Sequence, residues 1–182
     1  AVGILLAVII CTVLGVTIEK VAYRPLRMAS PLAVLITAIG VSYLLQNIAL
    51  LVFGSNPKSF TSVVTIPALK LAGGRLTISG ETLVTIVSCI VIMIVLTTFI
   101  KKTRAGQAML AVSEDKGAAQ LMGINVDGTI ALTFAIGSAL AAIAGTLLCS
   151  AYPTLTPYTG SMPGIKAFVA AVFGGIGSIP GA

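Results

Sequence analysis

TLVTIVSCIVIMIVLTTFI, residues 82–100, carries no charged side chain. As a helix it would reach about 28 Å, close to the ~30 Å hydrocarbon thickness of a bilayer. It is not an isolated case. Residues 1–18, 28–57 and 128–165 are equally free of charge. Over the 182 residues, 57% are hydrophobic and only 9% charged, whereas soluble domains carry about a quarter charged residues. Covering four helices that are apolar all round would need a polar layer that a chain of this size cannot supply. The sequence therefore predicts an all-α, polytopic transmembrane helical bundle.

Working outward from that run, the spans fall at about 1–18, 31–53, 82–100 and 128–150. Pro31 opens the second, a residue tolerated in a helix's first turn. Glu19, Lys20, Arg24 and Arg27 are expected in a loop after the first span, with Glu19 read as a helix-end charge, as is Glu81 before the third span. KLAGGRLTIS, residues 70–79, sets Gly73 and Gly74 between short alternating runs, a β-hairpin signal. Pro153, Pro157 and Pro163 break helix repeatedly across 151–165, and a last apolar segment follows from 165. The chain starts inside an apolar run and stops just past a Gly-Pro cluster, so 1–182 is expected to be a single transmembrane domain, incomplete at both ends.

Alternate loops of such a chain face opposite sides. The loops at 19–30 and 101–127 hold seven Lys/Arg, against three in those at 54–80 and 151–165. Positive-inside bias then places the first pair in the cytoplasm and the hairpin outside. The net charge of +6 is distributed in this way rather than as the Arg-rich or aromatic stripe that tracks a phosphate backbone, so no nucleic-acid partner is expected. Cys11, Cys89 and Cys149 are widely spaced within apolar runs and His is absent, which supports neither a disulfide framework nor a metal site. No cofactor is expected. No ionisable residue is expected deep in a span, which argues against a proton-coupled antiporter.

Within the fourth span Thr133, Gly137, Ala141 and Gly145 recur every fourth residue, with Ser138, Ala142 and Thr146 beside them. Small residues at this spacing let helix backbones approach closely in lipid; the alternative is a helix merely rich in Ala and Gly. Against this apolar background SEDKGAAQLMGINVDG, residues 113–128, stands apart, holding three of the five acidic residues. Ser113 is the expected N-cap, with Glu114 and Asp115 in the first turn. Gly123 is suited to a left-handed C-terminal position, with Ile124 making the accompanying apolar contact. Ala118, Leu121 and Met122 share a face of this short helix, and Ala105, Ala108, Met109 and Val112 form another apolar face upstream. Asp127 is placed to cap the fourth span. A helix this short needs something to pack on. Its own bundle, lipid headgroups and a groove on a cytoplasmic partner all remain open on composition alone.

EDKGAAQLMGINV followed by FAIGSALAAIAGTLL resembles the cytoplasmic loop of ABC-importer permeases, and more closely the branched-chain amino acid permease subunits. VAYRPLRMASPLAVLITAIGVSYLLQN, FGSNP and FVAAVFGGIGSIPGA are similar to the same family. The resemblance implies that Glu114, Ala118, Ala119, Gly123 and Ile124, with Leu121 and Met122, form a coupling helix that docks on a separate ATPase. It implies as partners cytoplasmic ABC ATPase subunits, a second permease subunit, an extracytoplasmic substrate-binding protein and the lipid of the cell inner membrane. This chain has no G-x-x-x-x-G-K-[ST] loop, so ATP hydrolysis is expected on another subunit. Closure of the ATPase would tilt spans three and four and switch the side to which the pathway opens.

Two sets of residues are candidates for that pathway. Thr37, Ser42, Gln46 and Asn47 in span two could offer uncharged hydrogen bonds to a zwitterion, or could simply join helices. Gly174, Gly175 and Gly177 could mark a broken or re-entrant helix over 165–181, or permit close helix packing. GGIGSIPG is not a dinucleotide fingerprint, since Pro180 stands where the third glycine should be. The function expected is that of a permease subunit, not an enzyme, importing branched-chain or other small neutral amino acids. The alternatives are a similar ABC permease for urea, short amides or a small sugar, and a non-ABC channel or facilitator.

Overall fold

The computed structural model describes residues 2–26, 29–59, 69–71, 76–78 and 80–175. Its elements in order are α1 (Val2–Ile18), α2 (Pro31–Phe53), β1 (Lys58–Ser59), β2 (Leu69–Leu71), β3 (Leu76–Ile78), α3 (Gly80–Lys102), α4 (Arg104–Glu114), α5 (Lys116–Leu121), α6 (Val126–Ala151), β4 (Thr154–Leu155) and α7 (Ser161–Phe173). The all-α polytopic class stands. Among the described residues, four helices are long and apolar enough to cross a membrane: Val2–Leu26, Leu32–Phe53, Gly80–Lys102 and Val126–Ala151. The expected span at 31–53 coincides with α2, and those at 82–100 and 128–150 each lie within a slightly longer helix.

The first span is longer than expected. Glu19 to Tyr23 do not leave the helix but widen it into a π turn, with the Arg24 N–H donating to the Glu19 carbonyl, and Arg24–Leu26 continue as a 3₁₀ turn. Glu19 is not an exposed helix-end charge either: only 1% of it is accessible. Glu19, Lys20 and Arg24, read as loop charges, are carried on a continuing helix in which the Glu19 carboxylate is enclosed rather than left to water, while Arg27 lies outside the described residues.

Polar side chains along the spans are largely satisfied within their own helices. The hydroxyls of Thr12, Thr37, Thr85 and Ser138 donate to the carbonyls four residues back, of Val8, Ala33, Glu81 and Phe134, at 2.7, 2.8, 2.8 and 2.7 Å. Where no water is available, such back-bonding removes an exposed donor without a second helix.

The chain divides into two compact units, Ala1–Ser55 with Lys102–Ala144 and Asn56–Lys101 with Gly145–Ala182. In the first, α1 and the start of α6 run antiparallel. Gly15 lies against Ser138, the rings of Tyr23 and Phe134 are 5.0 Å apart, and Arg24 reaches Asp127 at 3.0 Å. In the second, β1 and β4 pair antiparallel, with Lys58 opposite Leu155 and Ser59 opposite Thr154. Strands β2 and β3 pair with Leu69 opposite Ile78, as the hairpin reading expects, while Gly73 and Gly74 lie outside the described residues. Both the Arg24–Asp127 and the β1–β4 contacts join connections expected on one side of the membrane.

Helix α7 has 13 residues and is about 20 Å long, too short for a ~30 Å core. Pro163 does not break it but sits in its first turn, where no intrahelical N–H bond is lost.

Candidate functional site: the α4–α5 segment

Two short helices separate α3 from α6. Helix α4 begins at a true cap: the Thr103 hydroxyl accepts the Gly106 N–H at 3.0 Å. Its buried positions are Gly106 and Val112, with Ala105, Ala108 and Met109 half-buried beside them, while Arg104, Gln107 and Leu110 are exposed. This is the expected apolar stripe.

The start of α5 differs from expectation. Ser113 is not the N-cap, because α4 runs through it, and its hydroxyl donates to the Leu110 carbonyl at 2.6 Å. Glu114 is the last residue of α4. Asp115 caps α5 instead, its Oδ1 accepting from the N–H groups of Gly117 at 2.7 Å and Ala118 at 3.1 Å. Three neighbouring residues, Ser113, Glu114 and Asp115, could all accept such bonds. The one chosen is the first whose backbone has left the preceding helix, extended at φ −147°, ψ 112°.

At the end of α5, Gly123 takes the expected left-handed position. Gly123 has φ +82°, its N–H donates to the Gln120 carbonyl at 3.0 Å, and the Ile124 N–H donates to the Ala119 carbonyl at 3.1 Å. This paired closure satisfies carbonyls that the helix end leaves open, and it requires a left-handed residue that a side chain would disfavour. The chain passes at once into α6. Asn125, rather than Asp127, is the cap: its Oδ1 accepts the Gly128 N–H at 3.0 Å and its carbonyl the Thr129 N–H at 3.0 Å. Asp127 sits in the first turn of α6 and faces Arg24. With both side chains about half exposed, that pair contributes only on the order of 0–1 kcal/mol. Its importance is positional.

The surface of α5 is sharply divided. Ala119 is 4% exposed and faces inward, whereas Leu121 and Met122 are 91% and 83% exposed, and Ala118 is exposed beside them. Of the residues named for coupling, Ala118, Leu121 and Met122 thus form one outward face, Gly123 and Ile124 form the turn behind it, and Ala119 anchors the helix from below. Two large apolar side chains left in the open, on the last residue of α5 and on its C-cap, are more than a solvated loop helix needs.

The other candidates are less convergent. Thr37 donates within its helix, and the Asn47 side chain donates to the Tyr43 carbonyl at 2.8 Å. Ser42 and Asn47 are exposed and Gln46 is half-buried. Gly174 ends α7, its N–H bonding the Ala170 carbonyl at 2.8 Å, and Gly175 turns the chain at φ +92°. Gly177 lies outside the described residues. In α6, a Cβ at Gly137 or Gly145 would meet nothing within 4 Å among the described residues, and Ala141 is exposed. The close approach to α1 is made by the neighbouring row, through Ser138, and Ala142 in that row is buried. The two rows lie about 100° apart on one helix, and nothing in their composition ranks one above the other.

A family described as "Branched-chain amino acid transport system / permease component" matches residues 1–182. The chain belongs to this permease family. It is 45% identical to the high-affinity branched-chain amino acid transport system permease protein LivH of Salmonella typhimurium, covering 100% of this chain and 60% of that protein. It is 44% identical to the Escherichia coli protein of the same name, with the same coverage. Against the permease protein BraD of Pseudomonas aeruginosa it is 43% identical, over 97% of this chain and 58% of that one. The chain therefore spans about three fifths of the length of these curated relatives. No solved structure matches it. Membership identifies the chain as a permease component rather than an enzyme.

Proposed function

We propose that this chain is the membrane-spanning part of a permease subunit in an ATP-driven importer of branched-chain or other small neutral amino acids. What supports this is the match along the whole chain to permeases of branched-chain amino acid transport systems, joined to an exposed Leu121–Met122 face on a helix held rigidly at both ends. The domain is a single transmembrane one in the cell inner membrane, with α4 and α5 on the cytoplasmic side. Its partners are cytoplasmic ABC ATPase subunits, a second permease subunit and an extracytoplasmic binding protein.

In this reading Ala118, Leu121 and Met122 enter a groove of the ATPase, with Glu114 at the rim. The short side chain of Ala118 lets the backbone approach, and Gly123 with Ile124 fixes the direction in which α5 leaves for α6. ATP can drive the permease only if the closed ATPase prefers one of its two states; equal affinity for both would move nothing. Thr37, Ser42, Gln46 and Asn47, with Gly174, Gly175 and Gly177, line or shape the pathway. Gly137, Ala141 and Gly145 form a packing face for a helix outside this chain. The test is uptake of labelled leucine by membrane vesicles from cells with and without the partner ATPase. ATP-dependent uptake that vanishes with the ATPase is expected; uptake indifferent to it would point to a facilitator.

A further inference from the structure

We infer that α1 is clamped to α6 as one antiparallel unit, and that Arg24 and Asp127 form a positioning pair which carries movement of α5 into the first span. The inference rests on the docking role proposed for α5. Three contacts at three heights support the clamp. At the first, a Cβ built on Gly15 would overlap the Ser138 side chain, so the two helices are as close as glycine allows. Further along, Tyr23 lies against Phe134 with rings tilted by 41°. At the junction itself Arg24 holds Asp127 at 3.0 Å.

The π turn is what brings these contacts into line. In a regular α-helix a face read at every fourth residue drifts steadily around the axis. The wider turn at Glu19–Tyr23 slows that advance, so that Tyr23 returns to the side carrying Gly15. Glu19, fully enclosed, lies within the same turn. Asp127 in turn is three residues beyond Ile124, the end of the closure that terminates α5. Between the exposed Leu121 and the salt-bridged Asp127 no flexible stretch intervenes: Gly123, Ile124 and Asn125 are all fixed by hydrogen bonds. A displacement of α5 therefore reaches α6 and α1 together.

The experiment uses the full-length permease assembled with its partner subunits, with Cys11, Cys89 and Cys149 replaced by alanine. Tyr23→Cys with Phe134→Cys is expected to be joined by a short, reductant-cleavable thiol crosslinker, and ATP-driven uptake is expected to be the same crosslinked and reduced. Failure of the link to form would overturn the close approach, and uptake lost on crosslinking but restored by reductant would show that α1 slides past α6. In a second arm Arg24→Ala is expected to lower uptake per ATP hydrolysed at unchanged abundance, with Arg24→Lys restoring it; an unaltered ratio in Arg24→Ala would remove the positioning role. ATP dependence of the parent protein reports separately on the function proposed above.

Discussion

Ile124 donates its N–H to the Ala119 carbonyl at 3.1 Å, so the residue that anchors α5 from within also sets the course of the chain into α6. That bond forms only because Gly123 between them takes φ +82°. Gly123→Val should therefore be among the most damaging single changes in the segment. A left-handed conformation costs residues other than glycine about 1–2 kcal/mol, and a β-branched one more. The expected outcome is a protein inserted at normal abundance in which ATP hydrolysis no longer drives uptake, measured by comparing both rates in the same vesicles.

The start of the helix gives a second prediction. Asp115→Ala removes an acceptor from two N–H groups and should destabilise α5 by about 0.5–2 kcal/mol, seen as faster hydrogen exchange across 116–121. Asp115→Asn should restore most of the protection. Ser113→Ala should leave exchange in α5 unchanged, since its hydroxyl bonds back into α4.

Neighbouring alanines should fail in different ways. Ala118 is exposed and Ala119 is buried. Ala118→Arg should abolish co-purification of the ATPase while the permease itself stays abundant. Ala119→Arg buries an unpaired charge and should instead lower the amount of folded permease, as seen by immunoblotting of membranes.

Two glycines make a similar pair. Gly15→Val drives a side chain into Ser138 and should destabilise the α1–α6 contact by about 1–3 kcal/mol, read as a lower melting temperature in detergent. Gly137→Val meets nothing among the described residues and should leave the melting temperature unchanged. Loss of the second permease subunit on co-purification of Gly137→Val would locate the partner's helix there.

What could be read in advance, and what could not, follows from where the information lies. Span positions depend on runs of apolar residues long enough to cross a bilayer, and such runs are local; hence α2, α3 and α6 end within about two residues of expectation. The glycine closure of α5 is equally local, since only the chain's own carbonyls are involved. The misread points all depended on a neighbour. Glu19 looked like a loop charge because nothing in EKVAYR reveals the packing that encloses it. Asp127 looked like a cap until Arg24, 103 residues away, was seen to hold it. Caps at 113, 115, 125 and 127 were all chemically possible, and the path of the preceding backbone decided among them. Pairing of Lys58–Ser59 with Thr154–Leu155 had no signal at all, because two-residue strands carry no periodicity.

Single-cysteine labelling at α5 tests the central claim most directly. In a chain with Cys11, Cys89 and Cys149 replaced by alanine, Leu121→Cys is expected to resist membrane-impermeant thiol reagents applied to intact cells, to react in opened cells that lack the ATPase subunit, and to be shielded by and crosslink to that subunit in the assembled transporter. Reaction from outside intact cells, or full reactivity in the assembled transporter with no crosslink, would contradict a cytoplasmic coupling helix and the importer built on it.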